Sequence, residues 1–121
     1  MYNSLTYITS LLNDLGLSPS LPKKDTYNSE YEGFCFQAKG LSFRSRRAKK
    51  TPKKCGYFVA FWEKDTNNKN TPYSFETFPD KLVISIIDGA LSGQFIIPKK
   101  VLREKMILKD EEITGKMALR F

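Results

Sequence analysis

Residues 57–64, with the sequence YFVAFWEK, place apolar side chains on both faces of an extended strand. Because successive side chains of a strand point to opposite faces, the two faces carry Tyr57, Val59 and Phe61, and Phe58, Ala60 and Trp62. A strand of this kind needs cover on both sides, which predicts a place at the centre of a sheet. Residues 82–87 (LVISII) predict a second central strand, which ends at Asp88-Gly89.

The segments before residue 57 predict a helix and a hairpin. Apolar residues spaced three and four apart indicate a helix over residues 2–16. Residues 32–38 and 41–47 alternate between apolar and polar side chains, as the two strands of a hairpin do. The side chains expected to face the core are Phe34, Phe36, Leu41 and Phe43.

The segments after residue 87 predict a short strand at 94–97, a helix that starts at Pro98 and runs to about Met106, and a last strand at 116–121. A chain of 121 residues suits one domain, here residues 1–121. The expected fold class is therefore α+β. It is a single domain with a mixed, mostly antiparallel sheet of five to six strands, flanked by helices.

Positive charge is concentrated in residues 44–54, RSRRAKKTPKK, where seven of eleven residues are Arg or Lys. The chain has 20 basic and 13 acidic residues, so this segment accounts for the whole net charge of +7. Strand alternation places Arg44 and Arg46 on the face opposite Phe43, which predicts a basic face open to solvent.

A dense cationic segment beside a strand predicts an anionic ligand, and phosphate is the anion that such residues bind most often. Arg46 could donate two parallel N–H bonds to one phosphate, and Gly56 could let the backbone approach it closely. The alternative is a solvated face that only raises solubility. The candidate phosphate or nucleic-acid contacts are Arg44, Arg46, Arg47, Lys49, Lys50, Thr51, Lys53 and Lys54, with Gln94 and Lys99.

Several site classes are not expected. The chain contains no histidine, which removes Ser-His-Asp and Cys-His catalysis. Cys35 and Cys55 are too few for a disulfide framework or a structural zinc site. We therefore expect no catalytic residue, no metal and no cofactor. No apolar run is long enough to span a membrane and no basic leader precedes the first apolar residues, so a cytoplasmic location is expected.

The segment RRAKKTPKKCGYFVAFW and the later GQFIIPK resemble signature blocks of the MepB family. The first block matches at Arg46, Ala48, Lys49, Thr51, Pro52, Lys54, Gly56, Phe58, Val59 and Trp62. The second matches at Gly93, Gln94, Phe95, Pro98 and Lys99, and residues 115–120 resemble a third. The sequence departs from the family pattern at two points. Lys81 stands where an acidic residue is expected, and the sequence ends at Phe121, where family members continue into a C-terminal tail. The resemblance implies a core similar to restriction-endonuclease-like proteins and a nucleic-acid or nucleotide ligand.

Two alternative functions remain open. A metal-dependent nuclease would need two acids and a lysine around one metal, and the candidates are Glu30, Glu32, Asp80 and Asp88 with Lys49 or Lys99. No Asp/Glu-x-Lys motif lies on a predicted central strand. A protein-interaction module would use the basic face to meet an acidic partner. Aromatic residues of 57–62 could stack on bases, although strand aromatics are more often part of a core.

Overall fold

The computed structural model describes residues 2–121, with two α-helices, one short 3₁₀ helix and ten strands. The helices are α1 (Asn3–Asp14) and α2 (Lys99–Glu104), and the 3₁₀ helix is Ser29–Tyr31. The strands are β1 (Lys23–Lys24), β2 (Phe34–Ala38), β3 (Leu41–Arg47), β4 (Lys49–Lys50), β5 (Tyr57–Ala60), β6 (Glu63–Lys64), β7 (Asn70–Thr71), β8 (Lys81–Asp88), β9 (Leu91–Pro98) and β10 (Ala118–Arg120).

The main sheet has five strands in the order β1-β2-β3-β8-β9. Only the β3–β8 pair is parallel, and the other three pairs are antiparallel. The predicted hairpin is β2–β3, with Phe36 directly opposite Phe43. The α+β fold class and the mixed sheet are confirmed.

Strand β5 lies in a second sheet, of three strands in the order β10-β5-β4. Strand β5 is therefore at the centre of a sheet, as predicted, but of the smaller one, and the prediction that residues 57–64 form one strand is wrong. The strand ends at Ala60, and β3 and β8 occupy the central positions. The predicted cover on both faces of residues 57–62 is incomplete: Val59 and Phe61 are fully covered, whereas Phe58 and Trp62 keep part of their surface exposed.

One face of the main sheet is covered by α1. Ile8 and Leu12 of the helix pack on the sheet residues Phe34, Phe36, Ala38, Phe43 and Val83. The rings of Phe36 and Phe43 stack in parallel, with centroids 4.8 Å apart. The helix predicted over residues 2–16 is confirmed as Asn3–Asp14. No helix within residues 2–121 has the length and apolar character needed to cross a membrane.

The opposite face of the main sheet is covered by the three-stranded sheet and by residues 73–78 and 102–108. The second core contains Ala48, Val59, Phe61, Tyr73, Phe78, Leu82, Ile84, Leu102, Leu108 and Leu119. Arg44 and Arg46 are the partners of Leu82 and Ile84 in the β3–β8 register, so their side chains enter this same layer. This packing determines what the basic residues of β3 can contact.

Candidate functional site

Arg46 lies inside the protein, with no exposed surface. Its Nε and Nη2 donate to Asn28 Oδ1 at 3.3 and 3.2 Å, and Nη2 also donates to the Tyr73 hydroxyl at 2.7 Å. Nη1 donates to the Asp25 carboxylate and to the Ser45 carbonyl oxygen. A guanidinium has five N–H groups, and all five have an acceptor here. Arg46 is therefore a satisfied internal residue.

Arg44 lies beside it, with most of its side chain covered. Its Nε donates to Asp25 Oδ2 at 3.1 Å, and its guanidinium lies 4.3 Å from the centre of the Tyr73 ring. The ring of Phe78 is 5.4 Å away. We call Arg44, Arg46, Asp25, Asn28 and Tyr73 the arginine cluster. It joins the loop before β2 to strand β3.

The charges of this cluster are partly balanced by its one carboxylate, that of Asp25. Burial of the Asp25 carboxylate acts to raise its pKa, but the positive charges of Arg46 and Arg44 outweigh this effect. The pKa of Asp25 consequently lies below its ordinary value of 3.8. The carboxylate is charged at neutral pH and neutralises part of the arginine charge.

Arg47 points to the other face of the sheet and pairs with Glu32 at 2.7 Å. Glu32 also accepts hydrogen bonds from the N–H and hydroxyl of Ser4, at 2.9 and 2.8 Å, and so holds the first turn of α1. Burial acts to raise the pKa of Glu32, but the hydrogen bonds from Arg47 and Ser4 bring it below 4.5.

The prediction that Arg44 and Arg46 form a solvent-exposed basic face is wrong. Their orientation opposite Phe43 was predicted correctly, but that face of the sheet is covered by the second core. Side-chain alternation is a local property, whereas the cover comes from segments far along the chain. The three arginines of residues 44–47 hold separate parts of the protein together.

The four lysines of residues 44–54 lie on the protein surface. Lys49, Lys50, Lys53 and Lys54 are exposed, and within residues 2–121 only Lys50 of these forms an ion pair, 3.7 Å from Asp88. Residues 51–56 form a bend that connects strands β4 and β5. We call residues 49–56, which include the four lysines, the lysine hairpin. The ammonium groups of Lys49, Lys53 and Lys54 therefore have no carboxylate partner within residues 2–121.

Thr51 and Gly56 shape the lysine hairpin. The Thr51 hydroxyl donates to the Lys54 carbonyl oxygen at 2.9 Å and accepts from Arg120 Nη1 at 3.2 Å. Gly56 has a φ of +103°, and a Cβ built on it would lie 2.3 Å from the carbonyl oxygen of Phe121. Gly56 thus allows a close approach of the Phe121 backbone, whereas the approach predicted from the sequence was to a phosphate.

Lys49, Phe58 and Arg120 lie side by side on one face of the three-stranded sheet. In the register, Lys49 on β4 and Arg120 on β10 are both partners of Phe58 on β5. The Arg120 guanidinium lies 5.6 Å from the Phe58 ring centre, and Lys49 Nζ lies 5.0 Å from that of Tyr31. The Tyr31 ring meets Phe58 edge-on at 6.1 Å. We call these four residues the cation–aromatic row.

Arg120 and Tyr31 were missed as site residues by the sequence reasoning. Arg120 lies in the third block of family resemblance, but nothing local connects it to residues 49–58. The connection depends on the pairing of β10 with β5, which joins strands about sixty residues apart in the chain.

Gln94 and Lys99 lie elsewhere. Gln94 is on the edge strand β9, beside a cleft of about 280 Å³ that also includes Tyr57 and Asp88. Tyr57 donates its hydroxyl to Asp88 at 2.7 Å. Lys99 Nζ lies 4.9 Å from the Phe75 ring centre, and no contact within residues 2–121 joins it to the lysine hairpin.

The acidic residues considered for a metal site are engaged in separate contacts. Glu32 binds Ser4 and Arg47, Asp80 accepts from Ser42 at 2.9 Å, and Asp88 accepts from Tyr57. Glu30 lies at the exposed 3₁₀ helix. Within residues 2–121, no three His, Cys, Asp or Glu side chains are grouped in a way that could hold a metal ion.

A family model described as MepB-like matches residues 25–121. A crystal structure of MepB is similar to this chain, with 43% sequence identity and a TM-score of 0.84. The match covers 99% of this chain and 80% of that chain. No curated protein matches the chain significantly. The matched residues include the whole arginine cluster, the lysine hairpin and the cation–aromatic row.

Proposed function

This chain belongs to the MepB-like family, and we propose that it binds nucleic acid or nucleotide phosphate through the lysine hairpin and the cation–aromatic row. The observation that carries the proposal is the position of Lys49 and Arg120 on either side of Phe58. The backbones that carry these two cations are about 10 Å apart across three strands. Cations on either side of an aromatic ring suit a chain of phosphates that carries bases.

The charge balance supports the lysines rather than the arginines as phosphate contacts. Arg44, Arg46 and Arg47 are paired with Asp25 and Glu32. Within residues 2–121, Lys49, Lys53 and Lys54 have no such partner. Cations that are exposed and unpaired can release counterions from a phosphate backbone at little cost, because no internal ion pair has to break.

A core similar to restriction-endonuclease-like proteins, expected from the family resemblance, agrees with a nucleic-acid ligand. A cytoplasmic location is part of the same proposal. Cys35 and Cys55 are both free thiols, which suits a reducing compartment.

The test compares two triple variants that remove the same charge. Lys49→Ala, Lys53→Ala and Lys54→Ala together remove three cations of the proposed surface. Lys23→Ala, Lys100→Ala and Lys105→Ala together remove three exposed cations elsewhere. Binding of a labelled oligonucleotide is followed by fluorescence anisotropy at several salt concentrations.

We expect the first variant to bind more weakly. The slope of log K against log salt concentration should become shallower by about 0.7–0.9 for each phosphate contact removed. The control variant should retain most of the wild-type affinity. If the wild type does not bind at low salt, or both variants weaken binding equally, the proposed surface is wrong.

A further inference from the structure

A cleft of about 480 Å³ opens beside the cation–aromatic row. Tyr31 belongs to both, because its ring contacts Phe58 and also lines the cleft. The remaining lining residues are Thr26, Tyr27, Asn28, Ser29, Glu30, Ala60 and Trp62. This volume lies within the range of about 300–1,000 Å³ that is typical of small-ligand pockets.

Ala60, which we call the floor of the cleft, has the smallest side chain of the lining. Ala60 follows Phe58 on the same face of β5, and its register partner on β10 is Ala118. Ala60 and Ala118 thus carry only methyl groups, whereas the neighbouring register positions carry the long side chains of the cation–aromatic row. The methyl group of Ala60 occupies little of the cleft beside Trp62.

The aromatic wall of the cleft carries positive charge at its edge. The rings of Tyr27 and Trp62 lie 5.9 Å apart with an angle of 32° between their planes. Lys64 Nζ lies 5.4 Å from the centre of the Trp62 ring. Glu30 is the one acidic residue of the lining, and a carboxylate can accept from the amino group of a base.

The arginine cluster holds this wall in place. Asn28 has a φ of +62° and is 8% exposed, and its Oδ1 accepts from the Trp62 backbone N–H at 3.2 Å as well as from Arg46. Within residues 2–121, Asn28 Nδ2 has no hydrogen-bond partner. Asn28 also lines the cleft, so its bonds to Arg46 and to the Trp62 backbone fix two lining residues relative to the cluster.

We propose that this cleft receives one unstacked nucleobase of a single-stranded nucleic acid whose phosphates lie on the cation–aromatic row. The inference rests on the proposed function and adds to it a preference for single strands. Bases in a duplex are stacked and paired, so their faces are not available to Tyr27, Tyr31 or Trp62.

The experiment uses Trp62, the one tryptophan of the chain, as the reporter. The protein is titrated with a short single strand, with a duplex of the same sequence, and with a fully abasic strand of the same length. The single strand should quench Trp62 emission and bind at least about fivefold more tightly than the abasic strand, because a base stacked on aromatic rings contributes about 1–3 kcal/mol.

The outcomes separate this inference from the proposed function. Binding of the abasic strand as tight as that of the normal strand overturns the base cleft and leaves phosphate binding intact. Failure of every strand to bind overturns both. The same salt slope with the normal and abasic strands is expected, because both meet the same cations.

Two variants complete the test without altering the reporter. Ala60→Ile fills the floor of the cleft and should bring the normal strand to the affinity of the abasic strand. Ala118→Ile adds the same bulk at the partner position, which does not line the cleft, and should keep the preference for bases. Thermal unfolding of each variant shows whether it is folded. A folded Ala60→Ile variant that keeps the preference overturns the inference.

Discussion

Asn28 Oδ1 accepts two hydrogen bonds from the guanidinium of Arg46, at 3.3 and 3.2 Å, and a third from the Trp62 backbone N–H. An arginine that sequence resemblance marks as part of a family signature is therefore connected to the protein's own loop. Arg46 thereby fixes the positions of Asn28 and of the Trp62 backbone. Substitution of Arg46 should therefore affect the stability of the protein, whereas substitution of exposed lysines should affect the proposed binding of nucleic acid.

Arg46→Met should lower the free energy of unfolding by about 3–5 kcal/mol, because Asp25 and Asn28 lose their buried partner. Lys54→Met, at an exposed position of the same segment, should change it by no more than about 0.5 kcal/mol. Urea unfolding followed by Trp62 fluorescence measures both. A stable Arg46→Met protein that has lost only its affinity for nucleic acid would show that Arg46 is a ligand contact instead.

Asp25 should contribute stability that depends on pH. Its folded pKa lies below 3.8, so the folded protein binds this proton less readily than the unfolded chain does. The contribution is fully present above about pH 4 and is lost as the pH falls through the folded pKa. Asp25→Asn should destabilise the protein by roughly 3 kcal/mol at pH 7, and the difference from wild type should shrink below pH 4.

The control for Asp25 is Glu111→Gln, which removes an exposed acid. This variant should follow the wild-type pH profile closely. A difference between wild type and Asp25→Asn that stays the same at pH 3 and pH 7 would contradict the assigned ion pair.

Gly56→Ala should be more destabilising than Gly40→Ala. Both glycines have positive φ, which costs alanine about 1–2 kcal/mol. A Cβ at Gly40 meets nothing within 4 Å, whereas one at Gly56 would lie 2.3 Å from the Phe121 carbonyl oxygen. We expect an additional cost of about 1–3 kcal/mol at Gly56, measured by chemical denaturation. Equal losses would mean that the contact between the lysine hairpin and Phe121 is not formed.

Cys55 offers a footprint of the proposed surface. It is exposed within the lysine hairpin, whereas Cys35 is partly covered and donates to Asp25 at 3.3 Å. Burial raises the pKa of the Cys35 thiol, so a thiol reagent should modify Cys55 first. Bound oligonucleotide should slow the modification of Cys55 severalfold and leave the rate at Cys35 unchanged. Equal rates at Cys55 with and without saturating oligonucleotide would contradict binding at the lysine hairpin.

The sequence by itself determined the features that depend on nearest neighbours along the chain. Alternation predicted the β2–β3 hairpin and the direction of Arg44 and Arg46 relative to Phe43. Periodicity predicted α1 and the strand at 82–87. The signature residues identified the family, which the comparisons confirmed.

Only the tertiary structure decided which side chains remain available to a ligand. Whether Arg46 meets solvent depends on Tyr73, Asp25 and Asn28, which come from other parts of the chain. The positions of Lys49 and Arg120 around Phe58 likewise require β4 and β10 to pair with the same strand. Strand alternation predicts which side chains share a face of the strand, but the segments that pack against each face determine which face is buried. That information lies in contacts between distant segments.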